Sequence, residues 1–337
     1  MCYRDNRKNS YVEDGVLTIK TTLTVDEHNP EFLISGKLSL EDPGESETPC
    51  THWKLDPPSA GCEKQGTSSN IVHPVQSAKI ITKDKFSFRY GRIEFELKQP
   101  AADWLWPAVW LMPQDRVYGN WPQSGEIDIM EARGNADFKC GSWGGPLGRQ
   151  CTQSAFHYGF NSNDKTHGHA KSCVPEGDLA YGFHKYAFEW TEKGFKSWVD
   201  NIVIMDEVAD GWCESTFGCG NWNNPWKYGR DPKMTPFDEE FYLMINVAVG
   251  GGFFPSHCEN ADGSQTPWHN NNGDDKRAFW YGGPNANYND QFERKSFQSW
   301  DDPTLQLKGI RIFQRDGTWK PEWNNAQNWN SDDDVGN

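Results

Sequence analysis

The sequence predicts an all-β fold, a sandwich of antiparallel sheets, and three observations carry that reading. Apolar and polar residues alternate with period two through several short runs, no segment shows a long helical stripe, and the runs are separated by stretches rich in Gly, Asn, Pro and Asp. At 337 residues the chain suits one large β domain. Residues 1–337 are therefore read as a single domain, with a dispensable polar tail over about 320–337.

In chain order, the period-two runs are Val16 to Lys20, Phe86 to Tyr90, Arg92 to Leu97 and Lys185 to Thr191. Ser197 to Ile204 contains Asp200-Asn201, a pair suited to a tight turn, and so predicts a hairpin. Phe241 to Val249 is almost continuously apolar, as an interior strand would be. The loops are expected over 41–69, 141–154, 207–233 and 256–289.

The most informative run is Gly125-Glu126-Ile127-Asp128-Ile129-Met130-Glu131. On a strand, Glu126 and Asp128 share one face while Ile127 and Ile129 take the other. Glu131 is out of phase by one residue, because Ile129 and Met130 are both apolar. A β-bulge at that pair would bring Glu131 back beside the other two acids. Three carboxyls on one face repel one another, an arrangement better suited to proton and nucleophile chemistry than to stability.

Composition narrows the partners. The net charge of −15 disfavours nucleic acid and favours a neutral substrate. No run of about 18 apolar residues exists to cross a membrane. The 17 tryptophans exceed what a core requires, and flat aromatic faces stack well on sugar rings. Nine cysteines without a Cys-x-x-Cys pair point to disulfides and an oxidising compartment rather than to zinc. Spacing makes Cys50–Cys62, Cys140–Cys151 and Cys213–Cys219 plausible pairs, with Cys2 left as a free thiol. No secretory leader opens the chain, which reads as a mature secreted form acting as a monomer.

The acidic run has a distinctive setting. Trp104-Leu105-Trp106-Pro107-Ala108-Val109-Trp110-Leu111-Met112-Pro113 and Tyr118-Gly119-Asn120-Trp121-Pro122 precede it, and Ala132-Arg133-Gly134-Asn135 follows. Together with Phe156-His157-Tyr158-Gly159 and Phe241 to Gly252, these segments resemble glycoside hydrolase family 16. The likeness is to its laminarinase-type β-1,3-glucanases and their animal β-glucan-recognition relatives, and it extends over most of the chain.

That resemblance implies a jelly roll of two curved sheets with an open cleft, and an endo-β-1,3-glucanase that retains anomeric configuration. It assigns Glu126 as nucleophile and Glu131 as general acid/base. The residues themselves agree with a close carboxyl pair but do not decide which one attacks. Asp128 lies between them, placed to share a proton with Glu126 and to raise the pKa of Glu131. Trp106 and Trp110 fall on one side of their segment and resemble the family's cleft tryptophans, with Trp121 a third candidate. His157 occupies a position where the family often has a histidine near the acid/base. Arg133 and Asn135 continue the phase of Glu131 as candidates for sugar hydroxyls, and Arg92 is a further sugar-binding candidate. No cofactor is required, although a structural calcium with unknown ligands is in keeping with the family. A glucan-recognition protein of innate immunity, without catalysis, is the alternative, and the extra residue at Ile129-Met130 matches the bulged laminarinase form.

Overall fold

In a computed structural model the described residues are 1–40, 62–141, 145–161, 163, 165–174, 177–217, 224–270, 275–282, 297 and 299–314. The polar tail expected at 320–337 lies outside them.

Alternation becomes architecture in the strand Gly91–Lys98, where buried and half-buried residues follow one another without a break. Ile93, Phe95 and Leu97 face inward, and the polar residues between them face out. Such half-apolar strands must pair laterally and then cover their apolar faces. One sheet has six strands, in the spatial order Lys165–Cys173, Cys151–Gly159, Glu126–Ala132, Leu105–Pro113, Phe241–Val249 and Lys79–Ile81. The other has seven: Ile202–Val208, Gly194–Val199, His184–Thr191, Gly91–Lys98, Thr304–Phe313, Val16–Lys20 and Ser10–Glu13. Every pairing within these two sheets is antiparallel.

The main core lies between the sheets. Ile93, Phe95 and Leu97 from the seven-stranded sheet pack with Val109, Leu111, Ile127, Ile129 and Met130 from the six-stranded one. Phe156 and Phe195 meet across the gap at 5.2 Å, and the hydroxyls of Ser154 and Ser197 approach to 2.8 Å. Asp200 and Asn201 form the expected hairpin turn, with Asp200 at φ +50°. Phe86 to Tyr90 is not a strand: only Phe88 bridges, to Phe241, and the alternation there was too short to recruit a ladder.

A second hydrophobic cluster is built from loops and short helices. Trp104 sits in it, edge-on to Phe138, Phe254 and Trp268 at 5.3–5.8 Å. Its φ of +68° is unusual for a bulky residue. Asn135, fully buried, holds that conformation by accepting the Trp104 backbone N–H at 3.0 Å.

The disulfides correct the expected pairing. Cys151 bonds Cys173, its direct opposite in the antiparallel register, and Cys140 bonds Cys258. The short strand Phe138–Lys139 pairs with Glu259–Asn260, which brings Cys140 to Cys258 and away from Cys151. Cys2 is free and buried, as expected. Cys62 is disulfide-bonded; Cys50, expected to join it, lies outside the described residues, as does Cys219, expected to join Cys213.

Candidate active site

Gly125 opens the acidic strand at φ +81°, where a Cβ would lie 2.9 Å from the Phe237 ring. Only glycine meets both conditions. The strand then runs in register with its neighbours until the expected bulge. On one side Trp110 opposes Asp128 and Val109 opposes Met130; on the other Ala155 opposes Asp128 and Gln153 opposes Glu131. Three steps along the acidic strand thus match two on the Cys151–Gly159 strand. Ile129 and Met130 are both buried, and Glu131 returns to the face of Glu126 and Asp128. The ladder interruption would orphan the Ile129 carbonyl, but the Ser154 hydroxyl donates to it at 2.6 Å.

Each glutamate accepts an indole N–H. Trp121 Nε1 donates to Glu126 Oε2 at 2.6 Å, and Trp106 Nε1 donates to Glu131 Oε1 at 2.9 Å. Gln153 Nε2 completes Glu131 by donating to Oε2 at 3.0 Å. His157 opposes Glu126 in the sheet, and its Nε2 stands 3.1 Å from Asp128 Oδ2. The contact lacks the alignment of a hydrogen bond, so that oxygen accepts none.

Burial governs the acidities. The Glu126 carboxyl is pushed up to about 8, first by burial and then by the charge of Asp128. Asp128 is raised by burial and by Glu131, and Glu131 is raised by burial against the pull of its two donors. Three negative charges cannot persist on this surface, so protons are retained. A proton held between Asp128 and Glu126 leaves Glu126 able to act as a nucleophile, while a protonated Glu131 can act as an acid.

The aromatic residues flank this row. Trp106, Ala108 and Trp110 share the cleft face, with Ala108 opposite Glu131 leaving room beside it. Trp106 stacks on Phe253 at 4.4 Å and 7°. Trp110 is half-buried and donates Nε1–H to Asn246 Oδ1 at 2.7 Å. Trp121 is the most exposed of the three, at 39 %.

Three expected sugar contacts have protein partners of their own, although Arg133 lies near enough to Glu131 for its charge to act on that carboxyl. The strand ends at Ala132, so the phase argument for Arg133 and Asn135 has no strand to run on. Arg133 is buried, its guanidinium 3.7 Å over the Phe253 ring and donating to the Phe253 carbonyl at 2.9 Å. Asn135 is occupied by Trp104 and by Asn260. Arg92 belongs to the seven-stranded sheet, ion-paired with Glu94 and Glu189. Asn246 and Phe253 carry no local sequence signal for this site, whereas Gln153 does, since the bulge offset places it opposite Glu131.

Among the described residues, the clusters able to hold a metal are Glu126/Asp128/His157 and Cys140/His257/Cys258. Neither is the all-oxygen set that calcium takes, so these residues do not fit a structural calcium.

The sequence profile of the glycosyl hydrolases family 16 matches residues 52–211. A β-1,3-glucan-binding protein of Penaeus monodon is 40 % identical over 276 residues, covering 80 % of this chain and 70 % of that protein. The chain belongs to glycosyl hydrolase family 16. Glucan endo-1,3-beta-glucosidase A1 of Niallia circulans is 38 % identical over 266 residues, 79 % of this chain, although these span only 29 % of that protein's length. The catalytic domain of an endo-1,3-beta-glucanase (laminarinase) from Thermotoga petrophila RKU-1 superposes with a TM-score of 0.50 at 20 % identity, covering 91 % of this chain and 80 % of that one. The family 16 jelly roll is therefore the fold. No helix among the described residues is long and apolar enough to cross a membrane.

Proposed function

We propose that this family 16 chain is a secreted, monomeric endo-β-1,3-glucanase that cleaves laminarin-like glucans with retention of configuration. One observation carries the reading: the bulge at Ile129–Met130 returns Glu131 to the face of Glu126 and Asp128, with each glutamate fixed by its own indole donor. In the first step Glu126 attacks the anomeric carbon while Glu131 protonates the leaving oxygen. In the second, Glu131 takes a proton from water and the glycosyl–Glu126 ester is hydrolysed. A sugar hydroxyl in place of that water gives transglycosylation. Trp110 and Trp121 offer apolar faces to glucose rings, and the disulfides suit the extracellular medium.

A second reading, glucan recognition without turnover, is favoured by the name of the Penaeus monodon relative. Reducing-sugar release from laminarin separates the two, with Glu126→Gln as control. Proton NMR of the first products reports the anomer: initial β-product supports the double displacement, and α-product overturns it. Laminarin bound but never shortened decides for recognition.

A further inference from the structure

Glu126, Asp128 and His157 each offer one ligand atom, and these atoms lie within 4.8 Å of one another. Oδ2 of Asp128 is buried, accepts no hydrogen bond and faces Nε2 of His157 at 3.1 Å. A buried carboxylate oxygen without a donor is costly unless a charge meets it. Glu131, by contrast, is satisfied by Trp106 and Gln153 and stands outside the group.

We propose that Glu126, Asp128 and His157 form a binding site for a divalent transition-metal cation of the zinc type, and that the bound metal blocks the cleft. One imidazole and two carboxylates are a three-ligand set that leaves a fourth position for water on the open side. The imidazole nitrogen selects zinc or copper over calcium and magnesium. A cation also neutralises two carboxylates that repel each other in a poorly hydrated place. The ligands stand on two adjacent paired strands, so little backbone rearrangement is needed to gather them. The other cluster offers no competing thiolate, because Cys140 and Cys258 are joined to each other.

With the metal in place, Glu126 cannot attack and Asp128 cannot share its proton. That inhibitory consequence rests on the glucanase reading; the binding itself does not. The test is calorimetric titration of the whole folded chain with zinc chloride, read independently of activity. One zinc per chain is expected for wild type. His157→Gln should weaken it at least about tenfold, the loss that even a supporting partner of a metal ligand carries. His257→Gln should leave it unchanged. Asp128→Asn provides a second variant should His157→Gln fail to fold, as judged by circular dichroism. Wild type that takes up no zinc, or folded variants that bind it as tightly as wild type, overturns the site. Zinc that binds as expected to a chain without glucanase activity upholds the site and sinks only the inhibitory role.

Discussion

The indole N–H of Trp106 donates to Oε1 of Glu131 across 2.9 Å, so a tryptophan on the cleft face also bears on the acidity of the proposed proton donor. A donor on a carboxylate favours its ionised form and opposes the upward push of burial. Trp106→Phe keeps a ring to stack on Phe253 but removes the donor. The acid must be protonated to work, so losing the donor extends its protonated range. The alkaline limb of kcat/KM on laminarin should therefore move to higher pH. The fall in kcat should be on the order of tenfold, the equivalent of about one hydrogen bond.

Glu126 should be catalytically indispensable and yet costly to the fold above acidic pH. Burial and the charge of Asp128 push its folded carboxyl up to about 8, from an ordinary value of 4.5. The associated stability is complete below the unfolded value and is lost as pH rises toward the folded one, at up to about 1.4 kcal/mol per pH unit. Glu126→Gln should melt at nearly the wild-type temperature at pH 4 and at a higher temperature than wild type at pH 8. Laminarin hydrolysis should fall by roughly 10³-fold or more. Equal melting differences at both pH values would contradict the buried, charge-averse setting of this carboxyl.

Ser154→Ala removes the donor from the Ile129 carbonyl and the partner from Ser197. The carbonyl sits in the interruption of the ladder, with water excluded. A destabilisation of about 1–3 kcal/mol is expected from urea unfolding. Ser154→Thr, which retains a hydroxyl, should recover part of it.

Asn135→Ala tests the reassignment of that residue from substrate to scaffold. Its amide accepts the backbone N–H of Trp104 and donates to Asn260 at 2.8 Å. Removing it should lower stability by about 1–3 kcal/mol and leave the KM for laminarin within about twofold. A KM raised tenfold with stability intact would return Asn135 to the sugar.

Local features were legible and distant ones were not. Two adjacent apolar residues, Ile129 and Met130, announced the bulge because a strand tolerates no phase error on a buried face. Trp106 and Trp110, four residues apart on one strand, had to share a side. The same reasoning failed for Arg133 and Asn135, because nothing in the sequence marked Ala132 as the last strand residue. Arg92 failed differently: alternation gives a side of a strand but not which sheet the strand joins. Cysteine spacing suggested neighbours in sequence, whereas the bridge from Cys140 spans 118 residues and depends on a strand pair of only two residues each. Phe253 was invisible for a similar reason, since its stacking partner Trp106 arrives from a remote strand.

The strand Leu105–Pro113 belongs to two packing units at once. Leu105, Val109 and Leu111 lie in the sandwich, whereas Trp106 leans on the cluster around Trp104. One end of the cleft is therefore only as firm as a loop-built aromatic raft, joined to the rest by few regular ladders. On gentle warming that raft is expected to open as its own cooperative unit, seen as early loss of amide-exchange protection around Trp104 and Phe254. Grip on the proposed glucan ligand would then fade while the β-sheet signal still persists, making the working temperature of the cleft lower than the melting point of the molecule.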